Sequence, residues 1–399
     1  MSWVDGAEGS GYGVAHLPYG AFRHGGRTRL GVRIGDWVLD LDAAERDELV
    51  LAGGALREPT LDAFLALGRA QWQAVRARLA ELLTEPAHRP AVEPLLLPVA
   101  EVEPVLAWTV ADYVDFYASE HHAANLGQIL RPGQPPLLPN WKHLPVGYHG
   151  RAGTVVVSGT PVRRPHGQRK STPEADRPSY GPCLRLDVEA EVGFVVGVPS
   201  VPGEPVPPGR LADHVFGVVL VNDWSARDIQ AWEYQPLGPF LAKSFATSVA
   251  AWITPLAALE AAWVPAPEQH PPVLEYLREP ERRGLDITLA IEWNGTEVSR
   301  PPFAGLYWTA AQQLAHMTAN GAPVRTGDLF ASGTVSGPHR AQSGSFIELT
   351  WGGVEPVKLA DGSIRTFLVD GDTVTIAGTA PAAGGGTITL APVTGTVRQ

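Results

Sequence analysis

The sequence predicts a mainly β fold with some α, and three observations lead there. Pro and Gly are abundant, at 37 and 43 of 399 residues. Apolar residues fall in many short runs, and those runs are separated by turn formers, which fits a turn-rich β architecture better than a helical bundle. Hydrophobic residues at 44% against 18% charged give the ordinary balance of a chain that packs a core. The length allows two or three domains, or one large β domain with a smaller one.

Taken in order, the start MSWVDGAEGSGYG has neither a basic n-region nor an apolar h-region, so no signal peptide is expected. Arg29–Ile34 and Trp37–Leu41 flank Gly35-Asp36, the pattern of a hairpin with a two-residue turn. Leu61, Phe64, Leu65, Trp72, Val75, Leu79 and Leu82 recur at helical spacing, which predicts one helix with Thr60 as its N-cap and Pro86 beyond its last turn. The aperiodic, proline-containing segment Leu95–Pro104 reads as a connector between a small N-terminal domain and the rest. Asp112–Asn125 is predicted as a helix stopped at Gly127, and residues 131–182 as long ordered loops. β-like runs follow at Leu184–Val196, Val215–Val221, Leu285–Trp293, Phe346–Trp351 and Thr373–Ala377. No repeat of fixed period stands out, and Gly384–Gly386, without the Lys-Ser/Thr of a phosphate loop, reads as a turn.

Charge and cysteine content exclude several functions. A formal net charge of −11 argues against nucleic acid as a partner, although local Arg or Lys residues can still hold an anionic small molecule. The single cysteine, Cys183, forms neither an intramolecular disulfide nor a Cys-based zinc site and suits a reducing cytoplasm. Apolar stretches such as Phe216–Val221 are far too short to cross a bilayer, so no membrane partner is expected.

The run 184–196 alternates. Leu184, Leu186, Val188, Ala190, Val192 and Phe194 share one face, and Arg185, Asp187, Glu189 and Glu191 share the other. Alone, that second face reads as the solvated side of a half-buried sheet. Asp223 changes the weighing, because it emerges at the carboxyl end of a buried strand, where open sheets commonly place functional groups. It also has a plainer reading as a turn cap, and Ser225 with Asp228 resembles a weak capping box. Asp115 lies seven residues before His122, which on a helix returns to nearly the same azimuth about 10 Å along the axis. Four carboxylates from separated segments would suit a hard cation with oxygen ligands, Ca²⁺, Mg²⁺ or Mn²⁺. No HExxH motif is present to suggest zinc.

The strings DYVDFYASEHHAANLG, LLPNWKHLPVGYHGRAGTVVVSGTPVRRP, VNDWSARDIQAWEYQPLGPFLAKSFATS and GDLFASGTVSG are long and of low degeneracy. With LPYGAF, LGVRIGDWVLDL and RTFLVDGDTVTIAG, they make the chain resemble the fumarylacetoacetase (fumarylacetoacetate hydrolase) family over nearly its whole length. The resemblance implies a small N-terminal β-barrel-like domain, residues 1–107, and a larger C-terminal mixed β-roll catalytic domain, residues 108–399. It also implies a homodimer that hydrolyses fumarylacetoacetate, a β-diketo acid, to fumarate and acetoacetate, the last step of tyrosine breakdown. No organic cofactor is implied. The rival within the superfamily is an acylpyruvate or other diketo-acid hydrolase.

By motif match, the resemblance implies Asp115, Glu189, Glu191 and Asp223 as metal ligands, with His122, not its neighbour His121, as the base and Glu348 as its orienting acid. Arg227, Gln230 and Lys243 match the group that stabilises an oxyanion. Tyr117, Arg131, Tyr148, Gln230, Tyr234 and Thr334 match substrate contacts, and Asp223, Lys243 and Thr247 match a second cation position. Ala246 departs from the family pattern, which has Gly in SFATS, and raises a question about local backbone geometry. Arg227, Gln230 and Tyr234 at i, i+3 and i+7 would share one helix face, and Trp224 and Trp232 suggest burial around it.

Overall fold

The structure is a computed structural model that describes residues 1–170 and 175–399. The loops predicted over 131–182 include residues 171–174, which lie outside those described. Around them the chain forms long connections with short strands at Gly147–His149, Val155–Val157, Val162–Arg163, His166–Arg169 and Ser179–Pro182.

One mixed sheet runs through the molecule. Its strands lie in the order Leu96–Pro98, Trp37–Asp40, Arg27–Ile34, Tyr19–His24, Trp252–Pro255, Val215–Asp223, Ala190–Val196, Leu329–Ala331, Tyr113–Phe116 and Gly147–His149. The hairpin predicted around Gly35-Asp36 forms, with Ile34 opposite Trp37 and Gly35 at φ 55°, a value that glycine adopts without steric cost. Two short strands, Leu96–Pro98 inside the predicted connector and Glu103–Val105 across its end, add to this N-terminal part of the sheet, so the segment is structural and not a free linker. The register Tyr19↔Ile253 joins the N-terminal strands to the rest.

A second sheet, Thr296–Ser299, Thr288–Trp293, Thr373–Pro381, Thr387–Arg398 and Val162–Arg163, packs against the buried strand Val215–Asp223. Gly395 allows this approach: a Cβ there would sit 2.4 Å from the ring of Trp224, which is fully buried. One large apolar core extends through both sheets.

Four sequence expectations are corrected. The helix predicted from residue 61 to 82 is two helices, Asp62–Leu65 and Arg69–Thr84, because Gly68 at φ 85° breaks the chain between them. Thr60 is not its N-cap; its hydroxyl donates to the Asp62 side chain. The segment 112–125 splits into the strand Tyr113–Phe116, fixed by pairing with Leu329–Ala331 and Gly147–His149, and the helix Glu120–Leu130. Ser119 caps that helix by accepting from the His122 N–H, and the helix passes through Gly127 instead of stopping there. Phe346–Leu349 is a helical turn, not a strand. Ser225 and Asp228 form no capping box: Asp228 accepts from Cys183 and from the Leu184 N–H instead. Among the described residues, no helix is long and apolar enough to cross a membrane.

Candidate active site

The polar face of the run 184–196 is not a solvated face. Asp187, Glu189 and Glu191 are all buried. From Leu186 onward the alternation separates two buried surfaces, an apolar one in the core and an acidic one at the end of the sheet, whereas Leu184, expected on the apolar face, is exposed.

Sheet topology explains how the acids meet. Ala190–Val196 lies between Val215–Asp223 and Leu329–Ala331, with Ala190 opposite Asn222 and Gly193 opposite Ala331. Ala331 in turn faces Asp115, which faces Tyr148. The Asp223 N–H donates to the Glu189 carbonyl at 3.1 Å, extending the ladder to the last residue of its strand. Asp115, Glu189, Glu191 and Asp223 thereby converge, each offering an oxygen within 4.8 Å of the others. Asp115 therefore reaches the cage from a strand, and its helical spacing from His122 plays no part.

The cage is electrostatically incomplete. Both carboxylate oxygens of Glu191 and Oδ1 of Asp115 are buried without a hydrogen-bond partner. Burial and the neighbouring carboxylates push the acids of Asp115 and Glu191 well above the usual carboxylate range. Asp223 accepts from Thr247 Oγ1 at 2.7 Å, Lys243 Nζ at 2.9 Å and Tyr148 Oη at 3.2 Å, yet burial still raises its acid. Burial also opposes ionisation of Glu189, but Lys243 and Arg227 outweigh it and hold the acid down to about 2. Arg227 Nη1 lies 2.7 Å from Glu189 Oε1, and Lys243 bonds Glu189 Oε2. Burial disfavours both cations, while Glu189 with Asp223 or Asp187 raises them overall. Two cations face four carboxyl groups, and Arg227 also serves Asp187, so with all four ionised negative charge would be left over. Unpartnered oxygens and excess negative charge in an all-oxygen donor set are what a hard divalent cation would complete.

Beside the cage stands a buried imidazole. His122 Nδ1 lies 2.6 Å from Glu348 Oε2, which also accepts from Ser345 Oγ at 2.6 Å and Ser336 Oγ at 2.9 Å. Asn125 Nδ2 donates to Glu348 Oε1 at 3.0 Å. Burial pushes the Glu348 carboxyl up, but His122 and these hydrogen bonds prevail and hold it below its ordinary value. His122 Nε2 points toward the cage, 3.8 Å from Glu189 Oε1.

The remaining predicted residues differ in how closely they join this centre. Tyr117 sets its ring edge against His122, with centroids 5.3 Å apart, and burial raises its phenol, as it does that of Tyr148. Thr334 is buried with its hydroxyl unpartnered, one residue before Val335, whose N–H donates to the Ala190 carbonyl. Gln230 Oε1 accepts from Arg227 Nη1 at 3.0 Å, so those two share a face of the helix Arg227–Glu233. Tyr234 lies just past that helix, and its hydroxyl accepts from Gln235 Nε2. Arg131, at the end of its helix, donates to the Pro136 carbonyl. Neither of these two bonds to the cage. Trp224 is buried as expected, but Trp232 is 40% exposed. Ala246 does not have a positive φ, so Ala needs no unusual backbone there. Sequence reasoning missed Asn125, Ser336 and Ser345 around Glu348. It also gave no role to Asp187, which bonds Arg227.

A buried all-oxygen cage facing an imidazole held by a carboxylate defines a class of enzyme in which a hard cation and a general base act on one small substrate. The chain belongs to the fumarylacetoacetate hydrolase family. A model described as "Fumarylacetoacetate (FAA) hydrolase C-terminal" matches residues 112–395, and one described as "Fumarylacetoacetase N-terminal" matches residues 15–107. The chain is 45% identical to the fumarylacetoacetase of Homo sapiens over 398 residues, covering 95% of this chain and 94% of that one. It is 44% identical to that of Oryza sativa subsp. japonica, with 94% and 91% covered. Among solved structures, a fumarylacetoacetate hydrolase from Exiguobacterium antarcticum superposes with a TM-score of 0.55 at 16% identity, covering 96% of this chain and 99% of that one. A 2-hydroxyhepta-2,4-diene-1,7-dioate isomerase from Mycobacterium marinum gives 0.52 at 15% identity, with 96% and 98% covered. These two share the fold.

Proposed function

We propose that this chain hydrolyses the carbon–carbon bond of fumarylacetoacetate to give fumarate and acetoacetate, closing tyrosine breakdown. The observation that carries the reading is the His122–Glu348 pair facing the four-carboxylate cage. With full-length similarity to fumarylacetoacetases, it favours this substrate over an acylpyruvate.

Asp115, Glu189, Glu191 and Asp223 would hold the divalent cation, Ca²⁺ or Mg²⁺ by donor chemistry with Mn²⁺ also compatible. When bound, that cation supplies Lewis-acid polarisation of the dicarbonyl group. Glu348 accepts a hydrogen bond from His122 Nδ1–H, which leaves the lone pair on Nε2. Nε2 takes a proton from water as the water oxygen bonds to the fumaroyl carbonyl carbon. Arg227, Gln230 and Lys243 stabilise the oxyanion that forms, a task in which one donor is typically worth on the order of 3 kcal/mol. Collapse of that adduct breaks the carbon–carbon bond, and the proton held by His122 returns to the acetoacetate carbon. Tyr117, Tyr148 and Thr334 line the reacting region, while Arg131 and Tyr234 recognise the substrate ends. Asp223, Lys243 and Thr247 form the second, structural cation position.

We infer further that residues 1–107 and 108–399 act as a small N-terminal and a catalytic domain, and that the protein works as a cytoplasmic homodimer. Exposed Tyr180, Leu237 and Phe240 support a subunit contact, and light scattering of the purified protein checks it. The functional test follows loss of fumarylacetoacetate absorbance with and without chelator. His122→Ala should abolish turnover while the protein still binds a divalent cation. No turnover with any divalent ion, alongside cleavage of an acylpyruvate, would transfer the assignment to that substrate class.

A further inference from the structure

We propose that Asp187 is a positioning residue that locks the base pair and the oxyanion-stabilising cation into one geometry. The inference rests on the roles given above to His122, Glu348 and Arg227. Asp187 is fully buried at the end of the short strand Leu186–Asp187, which pairs with Ser225–Ala226. Its carboxylate takes four donors. Oδ2 accepts from Arg227 Nε at 2.7 Å and from the Ile347 N–H at 3.0 Å. Oδ1 accepts from the Phe346 N–H at 2.7 Å and from the Val188 N–H at 2.8 Å.

Two of those donors open the helical turn Phe346–Leu349 that carries Glu348. A helix start leaves its first N–H groups without partners, and the residue before it usually supplies the acceptor. Here Ser345 makes no such bond, because its hydroxyl donates to Glu348 Oε2. Asp187 replaces that cap from a distant strand and frees Ser345 to hold the Glu348 carboxylate. The same Asp187 carboxylate holds Arg227 by Nε, which leaves Nη1 aimed at Glu189 and Gln230. One side chain thus ties the turn that orients His122 to the cation facing the cage, although it touches neither His122 nor any reacting atom. Misplacing a catalytic group by about 1 Å can cost roughly 100-fold in rate.

The test is Asp187→Asn, whose amide nitrogen cannot accept and would oppose a donor on whichever side it faced. Turnover should fall roughly 100-fold with KM within about threefold, as for loss of alignment and not of substrate binding. A merely structural role would not move a second signal, the downfield NMR proton of the short His122–Glu348 hydrogen bond, assigned by its loss in His122→Gln. In Asp187→Asn it should shift or vanish while cation-induced thermal stabilisation persists. The Asp187→Asn, Glu348→Gln double variant should be no slower than the slower single variant. Turnover within threefold of the parent with an unmoved proton signal overturns the proposal, as do losses that multiply in the double variant. If Asp187→Asn does not fold, Asp187→Glu keeps the charge, displaces it by one methylene and is read in the same way. If the parent cleaves no β-diketo acid, the functional reading fails, while the proton signal still decides the positioning claim.

Discussion

Replacing Glu348 by Gln probes the base most directly, and the structure sets the size of the effect. Oε2 of Glu348 receives three donors, from His122, Ser345 and Ser336, and Oε1 receives one from Asn125. An amide nitrogen in the Oε2 position would face all three donors, so the glutamine carbonyl takes that place. The nitrogen then faces Asn125, whose own amide can rotate to accept. The Nδ1–H bond of His122 survives, and with it the lone pair on Nε2. What is lost is the negative charge beneath the imidazolium that forms when His122 takes a proton.

Hydrogen bonds to charged groups are worth about 1.5–3 kcal/mol, against about 1 kcal/mol for neutral ones. The loss is therefore about 0.5–2 kcal/mol, centred on about 1.3 kcal/mol, or roughly a tenfold fall in kcat. KM should change little, since Glu348 is buried behind the imidazole. The folded protein should also change its acid response. Because Glu348 is held below its ordinary value of 4.5, its contribution to stability is present above that pH and is lost as pH falls through the lower folded value. Glu348→Gln should remove that part of the acid sensitivity. Initial rates on fumarylacetoacetate across pH, with thermal melts of both proteins, provide the measurement. A variant within threefold of the parent kcat would show that Glu348 does not support the base.

Other consequences follow from buried charge. Glu191 has two buried oxygens without a partner, so Glu191→Gln should stabilise the chelated protein by about 1–3 kcal/mol, because an uncompensated acid is removed. The same change should abolish the rise in melting temperature that millimolar Ca²⁺, Mg²⁺ or Mn²⁺ should give the parent; a persistent rise would place the cation elsewhere. His16 is buried between the Gly11 carbonyl and Thr254, and burial lowers its pKa from 6.5 to about 3. The neutral ring is the folded form, so its contribution is complete above pH 6.5 and is lost as pH falls toward 3, by up to about 1.4 kcal/mol per unit. Denaturant titrations should show this slope reduced in His16→Asn, and an unchanged slope would mean His16 takes up no proton on unfolding. Gly127→Ala would put a Cβ 1.9 Å from the Pro136 carbonyl oxygen, so it should lower the melting temperature despite the better helix propensity of Ala. A higher melting temperature would mean that loop yields freely.

The sequence made the acids legible as residues but not as neighbours. Alternation over 184–196 identified a polar face, and the same pattern serves a solvated sheet or a buried cage, because period two reports only that two faces differ. What buries the second face is pairing with Val215–Asp223 and Leu329–Ala331, both remote in the chain. The Asp115 error has the same origin. Residues 112–125 contain helix-compatible spacing, but pairing to Leu329–Ala331 and Gly147–His149 makes the first part a strand. Long motif strings bypassed this problem, since they carry the outcome of nonlocal pairing without deriving it. Their limit is visible at Asp187, which stands two residues before Glu189 in the same alternating run and carries no local signal that separates it from the cage acids. Its role depends on two amides 159 and 160 residues away. A carboxylate bonded to four donors and one bonded to none look identical in a sequence, yet the first is built to stay charged and fixed, while the second awaits a cation. Partner count, available only from the fold, is what distinguishes a positioning acid from a ligand.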